Sequence, residues 1–261
     1  MLRLTDRRQI RAILETDRPW AVYALADLEP GLFEHAQWYC PASDEPALGL
    51  FYSGFAIPVL ITIGRVEPMR VILDEIVAEL NPPELYAVVK PEVLPLLTDH
   101  FRVVEERKMR RMILDPERHH STSMNGVVQL GTPDLEALQR LYADGDANGE
   151  APDWFLPQML EQETYYGIRE DNELVAVAGT HVVALSESVS GLGNIYTRRD
   201  RRGRGLGTRV TGAVIATLLT MRLSTIVLNV RASNIAAIHV YDRIGFTSYC
   251  EYVEAPMIRR R

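Results

Sequence analysis

What most limits how this chain can fold is an order of segments toward its C-terminal end. SVSGLGNIYT (188–197) is a strand-like run of small and β-branched residues, and it leads into YTRRDRRGRGLGTRV (196–210), which holds six arginines and three alternating glycines. Leu206, Val210, Val214, Leu218 and Met221 then recur at helical spacing, predicting a helix from about 205 to 223, and TIVLNV follows as a fully apolar strand. Strand, loop, helix, strand is the order of a crossover unit, which sets a helix on the face of a sheet.

The turn carries concentrated positive charge in a chain whose formal net charge is -7. A helix amino terminus presents unpaired N–H groups and the positive end of its dipole, and glycines before it let the backbone close around an anion, phosphate being the natural guest. Two phosphate loops fail on spacing. The P-loop needs a lysine, and none follows Lys108; the dinucleotide fingerprint counted from Gly203 or Gly205 meets Thr208 or Val210 where its last glycine belongs. What remains is Arg202-Gly203-Arg204-Gly205-Leu206-Gly207. With a pI near 5.5 and one basic cluster, the sequence excludes general nucleic-acid affinity, which needs a broad basic surface.

Elsewhere, the chain reads as globular and cytoplasmic: no apolar run has spanning length, and the amino terminus lacks a signal-like stretch, so no membrane partner is expected. Cys40 and Cys250 belong to no ligand spacing, so neither a disulfide framework nor a metal site is expected. DPERHHSTSMNG (115–126) has turn residues and no apolar period, which places a boundary there, with His119 and His120 in a solvated linker. The reading is therefore an α/β domain over 1–118, a linker over 119–125 and a second domain over 126–261. In the second, VVQL is a strand, a helix begins at Thr132 as N-cap, DWFLPQMLEQ is a shorter helix, and TYYGIRE-DN-ELVAVAGTHVVAL is a hairpin. SNIAAIHVYDRIGF is a last helix stopped at Gly245, and a closing strand starts at Phe246. On that helix Asn234, Ala237, Ile238 and Tyr241 share one face. Asn234 caps it or touches a ligand, and the two roles are compatible. Tyr241 is either a core phenol or a proton donor.

The hexapeptide 202–207, set after a strand and before a helix, together with LNVRASNIAAIHVYDRIGF (228–246), resembles the two signatures of the GNAT superfamily of acetyl-CoA-dependent N-acetyltransferases. The likeness covers about 126–261. It implies a mixed, mostly antiparallel α/β sheet flanked by helices, with the first domain a supporting α/β unit that reads as a degenerate GNAT-like half. It also implies acetyl-CoA as co-substrate and an amine acceptor, with acetyl transfer by direct attack in a ternary complex. Arg202, Gly203, Arg204, Gly205, Leu206, Gly207 and Thr208 would hold the pyrophosphate. Ile195 and Thr197 would pair their backbone with the pantetheine arm, Asn229, Asn234 and Ala237 would line its other side, and Tyr241 would protonate the leaving thiolate. No acid, histidine or cysteine stands on 188–197, so a carboxylate base there is excluded, leaving His181 or a water relay. ADGDANGEAPDW, with Asp144, Asp146, Glu150 and Asp153, either steers a cationic acceptor or is simply solvated. A non-catalytic acyl-CoA-binding or regulatory module is the alternative function.

Overall fold

The computed structural model describes residues 2–43, 45–146, 149–152 and 154–260. By packing, the chain divides into two compact units: the first comprises the chain up to Arg111, Val230–Ser233 and the chain from Tyr249, and the second Met112–Asn229 and Asn234–Ser248.

In the first unit the order is β1 (Leu2–Leu4), α1 (Arg7–Leu14), α2 (Val22–Ala26), β2 (Ala36–Cys40), β3 (Leu48–Tyr52), β4 (Val59–Ile63), α3 (Val66–Leu80), β5 (Glu84–Val89), α4 (Leu94–Thr98) and β6 (Phe101–Val103), with β7 (Arg107–Leu114) leading out. Asp6 starts α1 by accepting from the Arg8 N–H at 2.8 Å, and Asn81 ends α3 in the left-handed region at φ 42°. Strands β3 and β4 are buried at every position, which is why they read as continuous apolar runs. Met69, Ile72, Leu73 and Ile76 of α3 pack into the core with Leu60, Ala87 and Val253.

The second unit runs β8 (Val127–Leu130), α5 (Leu135–Asp146), β9 (Tyr165–Glu170), β10 (Glu173–Ala184), β11 (Val189–Thr197), α6 (Leu206–Thr220), β12 (Thr225–Arg231) and α7 (Ile235–Arg243), followed by β13 (Phe246–Arg259). The hairpin turn is Asp171-Asn172, at φ 50° and 65°, a conformation that these two residue types tolerate. Both units repeat one plan. β1 through β4 pair antiparallel and β4 pairs β5 in parallel; β8 through β11 pair antiparallel and β11 pairs β12 in parallel. The mixed, largely antiparallel α/β fold flanked by helices, with an extra N-terminal α/β region, is thus present. The repeats differ at the crossover, where Gly64 and Arg65 alone join β4 to α3, whereas residues 198–205 join β11 to α6.

The structure corrects several expectations. The residues expected to close the second domain pack with the first unit: Val253 to Ile258 pair antiparallel with Val89 to Glu84, and the Tyr86 hydroxyl donates to Glu254 at 2.7 Å. The linker is packed against the second unit, because the His119 Nδ1–H donates to the Ile244 carbonyl at 2.9 Å and Arg209 reaches the Asn125 carbonyl at 2.6 Å. Gly131 rather than Thr132 precedes the first turn, its N–H donating to Asp134 at 2.9 Å. The shorter helix is a 3-10 turn, Pro157–Gln162, closed by Glu163 at φ 56°. A single buried side chain, Leu160, gives that segment too little apolar surface to extend.

Candidate active site

The site begins where two parallel strands part. The β11–β12 ladder runs from Val189↔Thr225 to Leu192↔Leu228 and stops, while β11 continues against β10 to Ala176↔Thr197. Beyond Leu192, the backbone of 193–197 has no register partner on β12. An extra residue makes the strands diverge: between Gly193 and Tyr196 β11 is one residue longer than β10, and Asn194 takes φ 55° there. Ile195 and Thr197 lie on this freed edge, and Asn229 is the first β12 residue past the ladder. The Thr197 carbonyl is already engaged, accepting from Arg202 Nε at 3.0 Å.

The glycine loop follows. Gly203 and Gly205 have φ 75° and 73°, and a Cβ at either would meet nothing within 4 Å, so both line open space in a conformation that disfavours side chains. A Cβ on Gly207 would stand 3.3 Å from the Thr197 hydroxyl. Gly205 caps α6 without a side-chain acceptor, and no acid sits in the first turn. The first N–H groups of a fifteen-residue helix are therefore offered outward, with Thr208 in that turn and Leu206 turned into the core at 2% exposure. These features fit a bound pyrophosphate.

The surrounding charges correct the acidic-rim expectation. Glu150 accepts from Arg202 at 2.7 Å and Arg199 at 3.1 Å, and these two guanidinium groups hold its carboxyl down to about 2. Asp144 accepts from the Tyr196 hydroxyl at 2.8 Å and the Arg199 N–H at 3.3 Å. Burial, followed by this carboxylate, pushes the Tyr196 phenol up to about 12. Arg201 and Arg204 share Glu170 at 2.8 and 2.9 Å. Two of the four acids are thus tied into the arginine loop rather than open to an incoming cation. Asp146 is exposed, and Asp153 lies outside the described residues.

On α7, Asn234 is the cap, its side chain accepting from the Ala237 N–H at 3.1 Å. Tyr241 is buried edge-on to Phe246, with ring centroids 6.2 Å apart, and burial raises its hydroxyl above the usual phenol range. Its hydroxyl has no hydrogen-bond partner among the described residues and is not among the buried polar groups left without one, so solvent can satisfy it and the core-phenol and proton-donor readings both stand. His181, the sequence candidate for a base, is half-buried on β10, and burial lowers its imidazole to about 4. Its Nε2 lies 3.3 Å from Asn194 Oδ1.

Asn194 was not a sequence candidate. It is only 4% exposed and polar on every side, touching His181, Tyr165 and the Tyr142 hydroxyl, which donates to its carbonyl at 2.8 Å. The signal was there: an asparagine, the non-glycine residue that best tolerates the left-handed region, within a run of small apolar residues.

Among the described residues no cluster of acids, histidines and cysteines could hold a metal ion, and no helix is long and apolar enough to cross a membrane.

Comparison with known proteins gives the family. Residues 134–246 match the Acetyltransferase (GNAT) family. The [Ribosomal protein bS18]-alanine N-acetyltransferase of Salmonella typhimurium is 34% identical over 123 residues, 47% of this chain and 81% of that protein. The mycothiol acetyltransferase of Tsukamurella paurometabola is 31% identical over 104 residues, which cover 39% of this chain and only 36% of that protein. A GNAT-family structure from Novosphingobium aromaticivorans aligns with 94% of this chain and 100% of its own at TM-score 0.62 and 20% identity, a likeness of fold. The chain belongs to the acetyltransferase (GNAT) family.

Proposed function

We propose that the protein transfers an acetyl group from acetyl-CoA to a primary amine by direct attack in a ternary complex, in the cytoplasm. One observation carries this reading: the parting of β11 from β12 at Leu192 and Leu228 opens beside an uncapped helix terminus fronted by Gly203 and Gly205. A phosphate-bearing chain thereby gains an anion site and, next to it, a strand edge to pair with.

Acetyl-CoA supplies the acyl carbon, activated as a thioester. Residues 202–208 hold its pyrophosphate through backbone N–H groups, with the arginines exchanging carboxylate for phosphate. Ile195 and Thr197 offer backbone groups to the pantetheine arm, and one N–H of this edge faces the thioester oxygen, stabilising the charge that develops there. Asn229 contacts the arm from β12, and Asn234 and Ala237 do so from α7. Tyr241 is protonated at neutral pH, as an ordinary phenol is, burial raising its pKa further, and it gives its proton to the departing sulfur. The first unit, which repeats the strand plan without the glycine loop, is a diverged duplicate with a supporting role.

The test is thiol release from acetyl-CoA with a panel of primary amines. It includes a peptide beginning with alanine, since a relative matched over most of its own length is named for the alanine of a ribosomal protein. Turnover with any panel amine supports the reading. Coenzyme A binding without turnover of any of them would instead make the protein an acyl-CoA-binding module.

A further inference from the structure

A helix ends in carbonyls that no helical N–H can reach, and at the end of α7 residues 115–125 supply partners from outside. Ile244 is the residue at that end. Its N–H donates back to the Tyr241 carbonyl at 3.2 Å, and its own carbonyl accepts from His119 Nδ1 at 2.9 Å. A carbonyl can only accept, so His119 carries a proton on Nδ1. Two hydrogen bonds therefore link the His119 ring to the backbone of Tyr241. Flanking contacts hold the same turn: the Asp115 N–H donates to the Gly245 carbonyl at 3.0 Å, and Arg118 pairs with Asp242 at 3.1 Å.

Glycines let the segment lie this close. A Cβ on Gly245, at φ 109°, would stand 2.7 Å from His119 Cα, so the backbone passes the end of α7 at a distance that only glycine permits. The segment then crosses α6, where a Cβ on Gly212 would run into the Thr122 side chain. It ends with the Asn125 carbonyl accepting from Arg209 at 2.6 Å, and Arg209 closes the first turn of α6, its N–H donating to the Gly205 carbonyl at 3.2 Å. One short stretch thus grips both the helix proposed to hold the pyrophosphate and the helix that carries Tyr241. A plain linker needs neither glycine.

We propose that residues 115–125 clamp α7 in the posture in which Tyr241 reaches the coenzyme A sulfur, with His119 as the positioning residue that acts through Ile244. This rests on the acetyl-transfer reading above, in which His119 touches neither cofactor nor acceptor. As the C–S bond of the thioester breaks, its electron pair stays on sulfur, the sulfur takes the Tyr241 proton, and water returns a proton to the phenolate. That transfer needs the phenol within hydrogen-bond reach of the sulfur while the phosphates are fixed at α6, so a small turn of α7 is enough to slow it. Cofactor binding is spared, because the glycine loop and the strand edge still hold it.

The test compares His119→Ala, which removes the donor, with His119→Asn, whose amide nitrogen, like Nδ1, is bonded to Cγ. If His119→Ala does not fold, His119→Leu, which keeps bulk without a donor, replaces it in every comparison. The first readout needs no ligand. In protein labelled with 13C-tyrosine, the Tyr241 ring signal, identified by its loss in Tyr241→Phe, is expected to move in the alanine variant and to return toward its wild-type position in the asparagine variant. Asparagine has no ring current, so the return reports posture. A signal unmoved in the alanine variant overturns the proposal. The second readout is kinetic, with acetyl-CoA and the panel amine of highest turnover. His119→Ala is expected to lower kcat about 5- to 50-fold with acetyl-CoA affinity within a few-fold, less than the roughly hundredfold cost of an ångström of misplacement. His119→Asn is expected to recover most of kcat, and His119→Ala is expected to cost nothing further in the Tyr241→Phe background, as for two residues acting as one unit. A general loss of stability would instead lower turnover equally in both backgrounds. That additive result, or an asparagine as poor as alanine, overturns the positioning role. A wild-type protein that turns over no amine yet shows the His119-dependent ring shift removes the acetyl-transfer reading, and the positioning role with it, while the grip of His119 on α7 stands.

Discussion

His181 Nε2 and Asn194 Oδ1 lie 3.3 Å apart, and each residue is at the extra position of a bulge, one on β10 and the other on β11. Bulges re-aim side chains, and these two bring an imidazole and an amide together beside the point where β11 leaves β12. Burial keeps the imidazole neutral, against the Asn194 contact, which favours its charged form.

That burial has a consequence for stability. The folded imidazole is lowered to about 4, while an unfolded histidine titrates near 6.5, so between these values the unfolded chain binds the extra proton. Stability is therefore lost as the pH falls from about 6.5 to about 4, by roughly 3 kcal/mol at most. Urea unfolding of wild type and His181→Gln at pH 7 and pH 5 checks this. The variant is expected to show a smaller drop, and equal drops would mean that His181 titrates normally in the folded protein.

Gly205 caps α6 at φ 73° with open space where its Cβ would stand. Alanine there meets no atom, so its cost is only the left-handed conformation, about 1–2 kcal/mol. Gly205→Asp adds a carboxylate where the phosphates are proposed to lie. Coenzyme A affinity, measured by calorimetry, is expected to fall at least tenfold in Gly205→Asp and much less in Gly205→Ala, with both variants folded. Unchanged affinity in the aspartate variant would move the phosphates elsewhere.

Glu150 pairs with Arg199 and Arg202, and a phosphate bound at these arginines, as proposed, would have to displace it. Glu150→Gln keeps the shape and removes the competing charge. Coenzyme A affinity is expected to rise about two- to tenfold at low salt, with the gain shrinking as ionic strength grows, because these groups are partly exposed and screened. Weaker binding in this variant would show that Glu150 instead holds the arginines in their binding posture.

The sequence showed those parts of the site that depend on local rules. Glycines at 203, 205 and 207, an apolar helical period after them and an asparagine cap at 234 each follow from backbone conformation and spacing. The ion pairs around the loop did not show, because Glu150 and Glu170 reach the arginines through tertiary packing across about fifty and thirty positions. Asn194 stayed hidden for the same reason: its role depends on bulges, and pairing register has no local signature. The last strand read correctly as a strand, but its residues gave no sign that their partner would be β5.

Tyr241 is buried on the α7 face that carries Asn234 and Ala237, and its hydroxyl has no hydrogen-bond partner among the described residues. The ring is buried while the hydroxyl is not among the buried polar groups left without a partner, and the sulfur of coenzyme A is its proposed partner. Phenylalanine keeps the ring against Phe246 and removes the transferable proton. Tyr241→Phe is expected to lower kcat roughly 10²- to 10⁴-fold, as for a positioned acid. Acetyl-CoA affinity, titrated on the same variant, should stay within a few-fold, because the loop and the strand edge hold the cofactor. Near-normal turnover would return Tyr241 to packing alone, and a parallel loss of affinity and kcat would make it a cofactor contact rather than a proton donor.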